Sequence, residues 1–241
     1  MEKSKNIMIT GASRGLGLAT AHRLLQSGHT VILGVRDVER SAQAVESLPR
    51  SQDAIVVPLD VTSDYSVAAA ASLVDERISH LDALVNNAGV LLDKDYVPSN
   101  ASLDTVRETL DTNVLGVIRA TNAMLPLLRR AAHARIVNVG SEAGSLALTG
   151  DPLRVHSRMR LLGYNVSKTA LNAVTVSYAN ELRFAGIDVL TVDPGYCATD
   201  INGFSGRRTA AQGAESIVDA VLSPERFPAG EFRNHEGVVP W

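Results

Sequence analysis

Six short apolar, β-branched runs recur along the chain, at Ile7 to Thr10, Val31 to Val35, Ile55 to Leu59, Ala83 to Val85, Arg135 to Val139 and Ile187 to Asp193. A strand covered on both faces reads as continuous rather than alternating hydrophobicity, so each run predicts a buried strand. Between the runs, apolar positions fall at helical spacing, as at Leu18, Ala21 and Leu25, and late in the chain at Ala173, Val176 and Asn180 with Leu182. Alternating strands and helices predict an α/β fold: a doubly wound sheet of about seven mainly parallel strands with helices on both faces. No repeat, low-complexity tract or linker divides the chain, so residues 1–241 are expected to form one domain. Leu146 to Leu162 is the least regular stretch. It carries Arg154, His156, Arg158 and Arg160 among scattered apolar residues and reads as a surface excursion.

Open α/β sheets bind ligands at the carboxyl ends of their strands. Gly11, Arg36, Asp60, Asn86, Ser141 and Pro194 each fall at or just beyond the end of a predicted strand, although they are scattered through the sequence. Together they predict one site on one edge.

The first strand runs into Thr10-Gly11-Ala12-Ser13-Arg14-Gly15-Leu16-Gly17, which opens directly into an amphipathic helix. Glycines here let the backbone turn sharply and approach a pyrophosphate, which free N–H groups at a helix start can hold. The same turn can also serve with no ligand. At the end of the second strand an NAD site usually carries an acid for the ribose 2′-hydroxyl; Val35 and Arg36 stand there instead. An acid would repel a 2′-phosphate, whereas Arg36, with Arg14 from the turn, can bind one, which favours NADP(H) over the alternative of two solvated surface charges.

Tyr164-Asn165-Val166-Ser167-Lys168 places a tyrosine and a lysine four residues apart on one face of a predicted helix. A phenol with a pKa near ~10 transfers protons poorly at neutral pH, and a neighbouring ammonium is expected to lower that value. The spacing alone also arises without function. Its company is more specific: the TGASRGLG turn, Asp60-Val61, Asn86-Asn87-Ala88-Gly89, Asn113, Ser141 after Val137-Asn138-Val139-Gly140, and Asp193-Pro194-Gly195 with Thr199. In this order and over almost the whole chain, the sequence resembles the short-chain dehydrogenase/reductase family.

The resemblance implies a single-domain, Rossmann-like fold, with cofactor segments mainly in 6–140 and catalytic and substrate segments mainly in 141–241. It implies that Ser141 hydrogen-bonds the substrate oxygen, that Tyr164 protonates it, and that Lys168 contacts the nicotinamide ribose and tunes Tyr164. Asn113, on a helix beginning near Ala101, would hold a water in a proton relay. Gly11, Ser13, Arg14, Gly15, Leu16 and Gly17 would surround the pyrophosphate. Asp60 and Val61 would meet the adenine edge, Asn87, Ala88 and Gly89 would run along the adenosine ribose, and Pro194, Gly195 and Thr199 would clamp the carboxamide. The plainer alternative for Asp60 and the asparagines is a role in loop and turn hydrogen bonding.

The implied reaction is reversible NADPH-dependent reduction of a small ketone or aldehyde. The tail from Phe232 to Trp241 and the short stretch after Thr199 resemble the carbonyl reductase branch. The alternatives are reduction of a 3-ketoacyl thioester, oxidation of a secondary alcohol and, more remotely, a non-catalytic NADP(H) sensor. The family's habits also imply a homodimer or homotetramer.

The chain departs from the family in the 22 residues between Ser141 and Tyr164, roughly ten more than usual. This segment is expected beside the substrate mouth, which Leu91 to Tyr96 and a modest lid over Asp200 to Gly206 would also shape. It either helps to select the substrate or is an inert loop. His156 has no orienting partner visible in sequence.

Composition narrows the remaining classes. With 23 Lys and Arg against 26 Asp and Glu there is no basic footprint for nucleic acid. Nothing approaches the roughly 18 apolar residues of a membrane span, and the start of the chain has no signal-peptide core, so a cytoplasmic location is expected. The lone Cys197 reads as a small buried hydrophobe, and no histidine or cysteine spacing predicts a metal site.

Overall fold

A computed structural model describes residues 4–93, 97–228 and 230–241. The strands are β1 (Asn6–Thr10), β2 (Thr30–Val35), β3 (Ala54–Pro58), β4 (Ala83–Asn86), β5 (Ala134–Val139), β6 (Ile187–Val192), β7 (Phe232–Asn234) and β8 (Gly237–Val238). They form one sheet in the order β3-β2-β1-β4-β5-β6-β7-β8. Every pairing is parallel except β7 with β8. The six apolar runs are β1 to β6. The sheet exceeds the expected strand number through β8, a two-residue hairpin return too short to stand out as an apolar run.

The helices are α1 (Gly15–Gln26), α2 (Val38–Glu46), α3 (Asp64–Asp75), α4 (Leu103–Leu110), α5 (Gly116–Leu128), α6 (Leu146–Thr149), α7 (Leu162–Leu182) and α8 (Ala210–Leu222). Alternation along β1 divides the core. Ile7 and Ile9 pack with Leu24 and Leu25 of α1 and Ile217 and Val221 of α8, whereas Met8 packs with Val74 of α3, Met124 of α5 and Leu182 of α7. The central strands β1, β2, β4, β5 and β6 are covered on both faces, which is why they read as unbroken apolar runs. Among the described residues no helix is long and apolar enough to cross a membrane.

The apolar spacing of the late helix marks its buried face only in part, at Leu182. Ala173 and Asn180 of α7 are exposed, and the buried face carries Leu171, Asn172, Thr175, Ala179 and Leu182. Two of those residues are polar, and both are hydrogen-bonded, Asn172 by donating Nδ2 to the Gly144 carbonyl at 3.2 Å. Thr175 Oγ1 accepts from Asn138 Nδ2 at 2.9 Å and from Thr191 Oγ1 at 2.9 Å, and it donates to the Leu171 carbonyl at 2.9 Å. Asn138 Oδ1 in turn accepts from Asn86 Nδ2 at 2.8 Å, and that same nitrogen reaches Thr121 Oγ1 at 3.1 Å. This buried polar chain ties the middle of the sheet to α5 and α7 just below the strand ends. Asn86 therefore belongs to the chain as well as to the strand end.

Asn138→Ala would strip an acceptor from Asn86 and a donor from Thr175 in a water-free setting. It should lower unfolding free energy by roughly 2–3 kcal/mol in a urea titration. An unchanged midpoint would show that the chain contributes nothing to the fold.

Candidate active site

Parallel register brings the strand ends level: Thr10 lies opposite Gly34, Val35 opposite Pro58, Asn86 opposite Asn138, and Val139 opposite Val192. The loops that leave these ends carry Gly11, Arg36, Asp60, Asn87, Ser141 and Pro194, so the residues scattered in sequence share one edge.

At the first loop, Gly11 has φ +65°, and a Cβ there would come within 2.9 Å of the Ala88 backbone. A Cβ on Gly17 would lie 2.5 Å from Asn87 Nδ2. Thr10 Oγ1 accepts from the amides of Asn87 (3.1 Å) and Ala88 (3.0 Å), while Asn87 Nδ2 donates to the carbonyls of Thr10 (2.8 Å) and Gly11 (3.0 Å). Asn87 thus fastens the β4 loop to the glycine turn. Gly89, two residues on, lies against Asn113 and Lys168. The first turn of α1, with Gly15 and Leu16 at its start, has no acidic residue and no side-chain cap from Arg14. Its opening amides and the missing Cβ atoms fit a diphosphate. Ser13 lies half-buried in the same turn.

Arg36 is exposed just past β2 and helps lower the Asp60 carboxyl, though the largest cause there is a hydrogen bond from the Thr62 amide. Asp60 Oδ1 also accepts from the Thr62 hydroxyl at 2.7 Å, so one of its oxygens holds its own loop. Arg14 leans toward Asp200, at 3.6 Å and mostly exposed, a pairing that contributes little and leaves the guanidinium free to turn. Val61 is buried against Gly116.

On the far side of the edge, Ser141 follows β5. Gly144 brings its turn so close to α7 that a Cβ would sit 2.5 Å from the Lys168 carbonyl carbon. The Ser141 hydroxyl accepts from the Ala143 amide at 3.2 Å and lies close enough to the Tyr164 hydroxyl to act on its pKa. The Lys168 ammonium donates to the Val139 carbonyl at 2.9 Å and stands 5.6 Å from the centre of the Tyr164 ring. The expectation that this ammonium draws the phenol's pKa down is not met. Burial pushes Tyr164 up to about 12; the neighbouring Ser141 hydroxyl opposes the shift and the Asp193 carboxylate adds to it. Burial likewise brings Lys168 down to about 8, against the pull of Asp193. Asp193 is itself pushed up to about 7, by burial first and then by Glu142. Desolvation of all three groups outweighs their mutual attraction.

Asn113 is 1% exposed in a five-residue π-helical segment, Asp111–Leu115, between α4 and α5. Its helix starts at Leu103, two residues beyond Ala101. Its Oδ1 accepts from the Val90 amide at 2.8 Å, and its Nδ2 donates to the Val90 carbonyl at 2.9 Å and to Ser167 Oγ at 3.0 Å. The extra residue of a π turn re-aims the side chain across to α7. With both amide hydrogens engaged, a relay water here would have to donate to an oxygen of Asn113.

Beyond β6, the Gly195 amide donates to Asp193 Oδ1 at 3.1 Å, and Thr199 brackets the turn Asp200–Asn202 in a capping box. Thr199 also faces Gly15, so the Pro194 loop closes over the glycine turn. Cys197 is buried, and burial raises its thiol, as fits a small core residue. Among the described residues no three His, Cys, Asp or Glu side chains group as metal ligands.

Two further contacts were not visible in sequence. Asp93 Oδ1 accepts from the Gly163 amide and Oδ2 from the Tyr164 amide, each at 2.9 Å, so one carboxylate holds the free start of the helix that carries Tyr164. His156, apparently partnerless in sequence, bonds Glu142 Oε2 through Nε2 at 2.7 Å. Both contacts join positions from different loops, and no local spacing signals them. Of the mouth expected at Leu91 to Tyr96, positions 94–96 lie outside the described residues.

A family model described as short chain dehydrogenase matches residues 5–209. A short-chain dehydrogenase, anuI, from Penicillium roqueforti (strain FM164) is 36% identical over 89% of this chain and 87% of its own length. Among solved structures, the NADPH-bound carbonyl reductase from chicken fatty liver superposes with a TM-score of 0.89 at 30% identity, over 100% of this chain and 96% of that one. The carbonyl reductase Sniffer of Drosophila melanogaster gives 0.87 at 25% identity, over 99% of this chain and 100% of that one.

Replacing Asp93 by Ala should cost about 1–2 kcal/mol in urea unfolding and speed hydrogen exchange at the Gly163 and Tyr164 amides. Asp93→Asn, with one acceptor oxygen, should fall between. Unaltered exchange at both amides in the Ala variant would remove the capping role.

Proposed function

The chain belongs to the short-chain dehydrogenase family, as an oxidoreductase acting on CH–OH or carbonyl groups, and we propose that it reduces a ketone or aldehyde to an alcohol with NADPH. The observation that carries this reading is the clustering of Ser141, Tyr164 and buried Lys168 on the same strand edge as the glycine turn.

Gly11, Ser13, Arg14, Gly15, Leu16 and Gly17 would hold the pyrophosphate, and Arg14 and Arg36 the 2′-phosphate that distinguishes NADP(H). Asp60, Val61 and the segment Asn87, Ala88 and Gly89 would line the adenosine, while Tyr164, Lys168, Pro194, Gly195 and Thr199 would line the nicotinamide end. NADPH, when bound, supplies the hydride. Ser141 and Tyr164 would both donate to the carbonyl oxygen, where negative charge develops. A phenol held near 12 keeps its proton at neutral pH until the stronger base, the nascent alkoxide, is beside it. Lys168, still mostly charged below about 8, would then offset the phenolate left behind. A water donating to Asn113 would let the proton be replaced from solvent. The carbonyl reductase likeness of the chicken and Drosophila proteins supports the same substrate class.

Consumption of NADPH and NADH in the presence of aryl ketones, aliphatic ketones, aldehydes and ketoacyl thioesters tests the proposal. Turnover of a simple ketone or aldehyde with NADPH preferred is the expected result. Arg36→Ala should cut that preference about ten- to a hundredfold, the scale of one lost charge-assisted contact. Absence of turnover across the panel would overturn the reductase reading, and an unchanged preference would overturn the role of Arg36.

A further inference from the structure

The segment between Ser141 and Tyr164 is tied down at two places. Near its start, Ser145 Oγ donates to the Pro240 carbonyl at 2.6 Å and the Ala147 amide to the Trp241 carbonyl at 2.9 Å. Leu148 is buried there with Phe232 and Val239. Further on, His156 reaches back to Glu142, the residue next to Ser141, with side chains only 19% and 28% exposed. The second oxygen of Glu142 accepts from Asn234 Nδ2 of β7 at 2.8 Å, so this carboxylate is held from both sides. Between the two ties the chain carries Leu153, 94% exposed, and Val155, 69% exposed and adjacent to His156.

We propose that His156 is a specificity-determining residue: through Glu142 it holds the Leu153 to Val155 stretch beside the Ser141 end of the site, where these side chains favour carbonyl substrates with a bulky apolar substituent. The inference rests on the reductase reading above. An untethered stretch would have to be ordered at each binding event, and fixing it beforehand removes that entropic cost only for substrates large enough to touch it. A small aldehyde, which ends short of the stretch, gains nothing. His156 acts through a donated Nε2–H, so a glutamine amide can replace it.

The test compares kcat/KM for a bulky aryl ketone and a small aliphatic aldehyde in wild type, His156→Ala and His156→Gln, alongside NADPH binding. His156→Ala should lower the ratio about tenfold, the scale of an apolar contact in a binding pocket, with NADPH affinity unchanged. His156→Gln should restore the ratio to within about twofold. An unchanged ratio in His156→Ala, or equal loss on both substrates, overturns the proposal while wild-type turnover leaves the reductase reading standing. A wild type inactive on both substrates would overturn the reductase reading itself.

Discussion

Parallel pairing obliges each strand from β1 to β7 to begin at one edge of the sheet and finish at the other, and the rest of the structure follows from that constraint. Each crossover must leave from the same edge, so six loops distant in sequence converge there. The crossovers also cover both faces, which leaves no wet side on which a polar strand residue could sit unpaired. Asn86, Asn138, Thr175 and Thr191 can occupy this interior only because each is hydrogen-bonded to the next. That chain runs directly beneath the loops bearing Ser141 and Asp193. The same contacts that keep the sheet centre dry fix the floor of the site.

A dry floor sets the electrostatics above it. Tyr164, Lys168 and Asp193 all shift toward their neutral forms, because burial penalises charge more than their neighbours reward it. The phenol therefore behaves as a proton donor that releases only to a strong base, and the lysine as a cation whose charge is not far from loss. Positioning is correspondingly strict. Asp93 holds the first amides of α7, Gly144 lets the turn after Ser141 lie against the Lys168 backbone, and the π segment turns Asn113 onto Ser167. Three separate loops thus set the place of one hydroxyl.

The sheet was largely legible because buried parallel strands are contiguous apolar runs, and β1 to β6 each announce themselves this way. β7 and β8 are three and two residues long and give no such signal. The α7 face was only partly legible because Asn172 and Thr175 are buried through hydrogen bonds, which apolar spacing does not register. Motif order located Gly11, Ser141, Tyr164 and Lys168 on a common edge. The contacts of Asp93 with Tyr164 and of His156 with Glu142 join different loops, and neither leaves a local pattern. The direction of the Tyr164 shift was also beyond the sequence. Spacing places an ammonium near a phenol, but the competing desolvation depends on how tightly the finished fold surrounds both.

The central claim is that the Tyr164 hydroxyl gives the proton, while the cofactor is gripped mainly by the glycine turn and the other lining residues, and the Tyr164 ring stays in place in a Phe variant. Single-turnover oxidation of bound NADPH by a ketone, compared between wild type and Tyr164→Phe, examines this directly. The account predicts unchanged NADPH affinity and a loss of about a hundredfold or more in the rate. A Phe variant that turns over within a few-fold of wild type would contradict it.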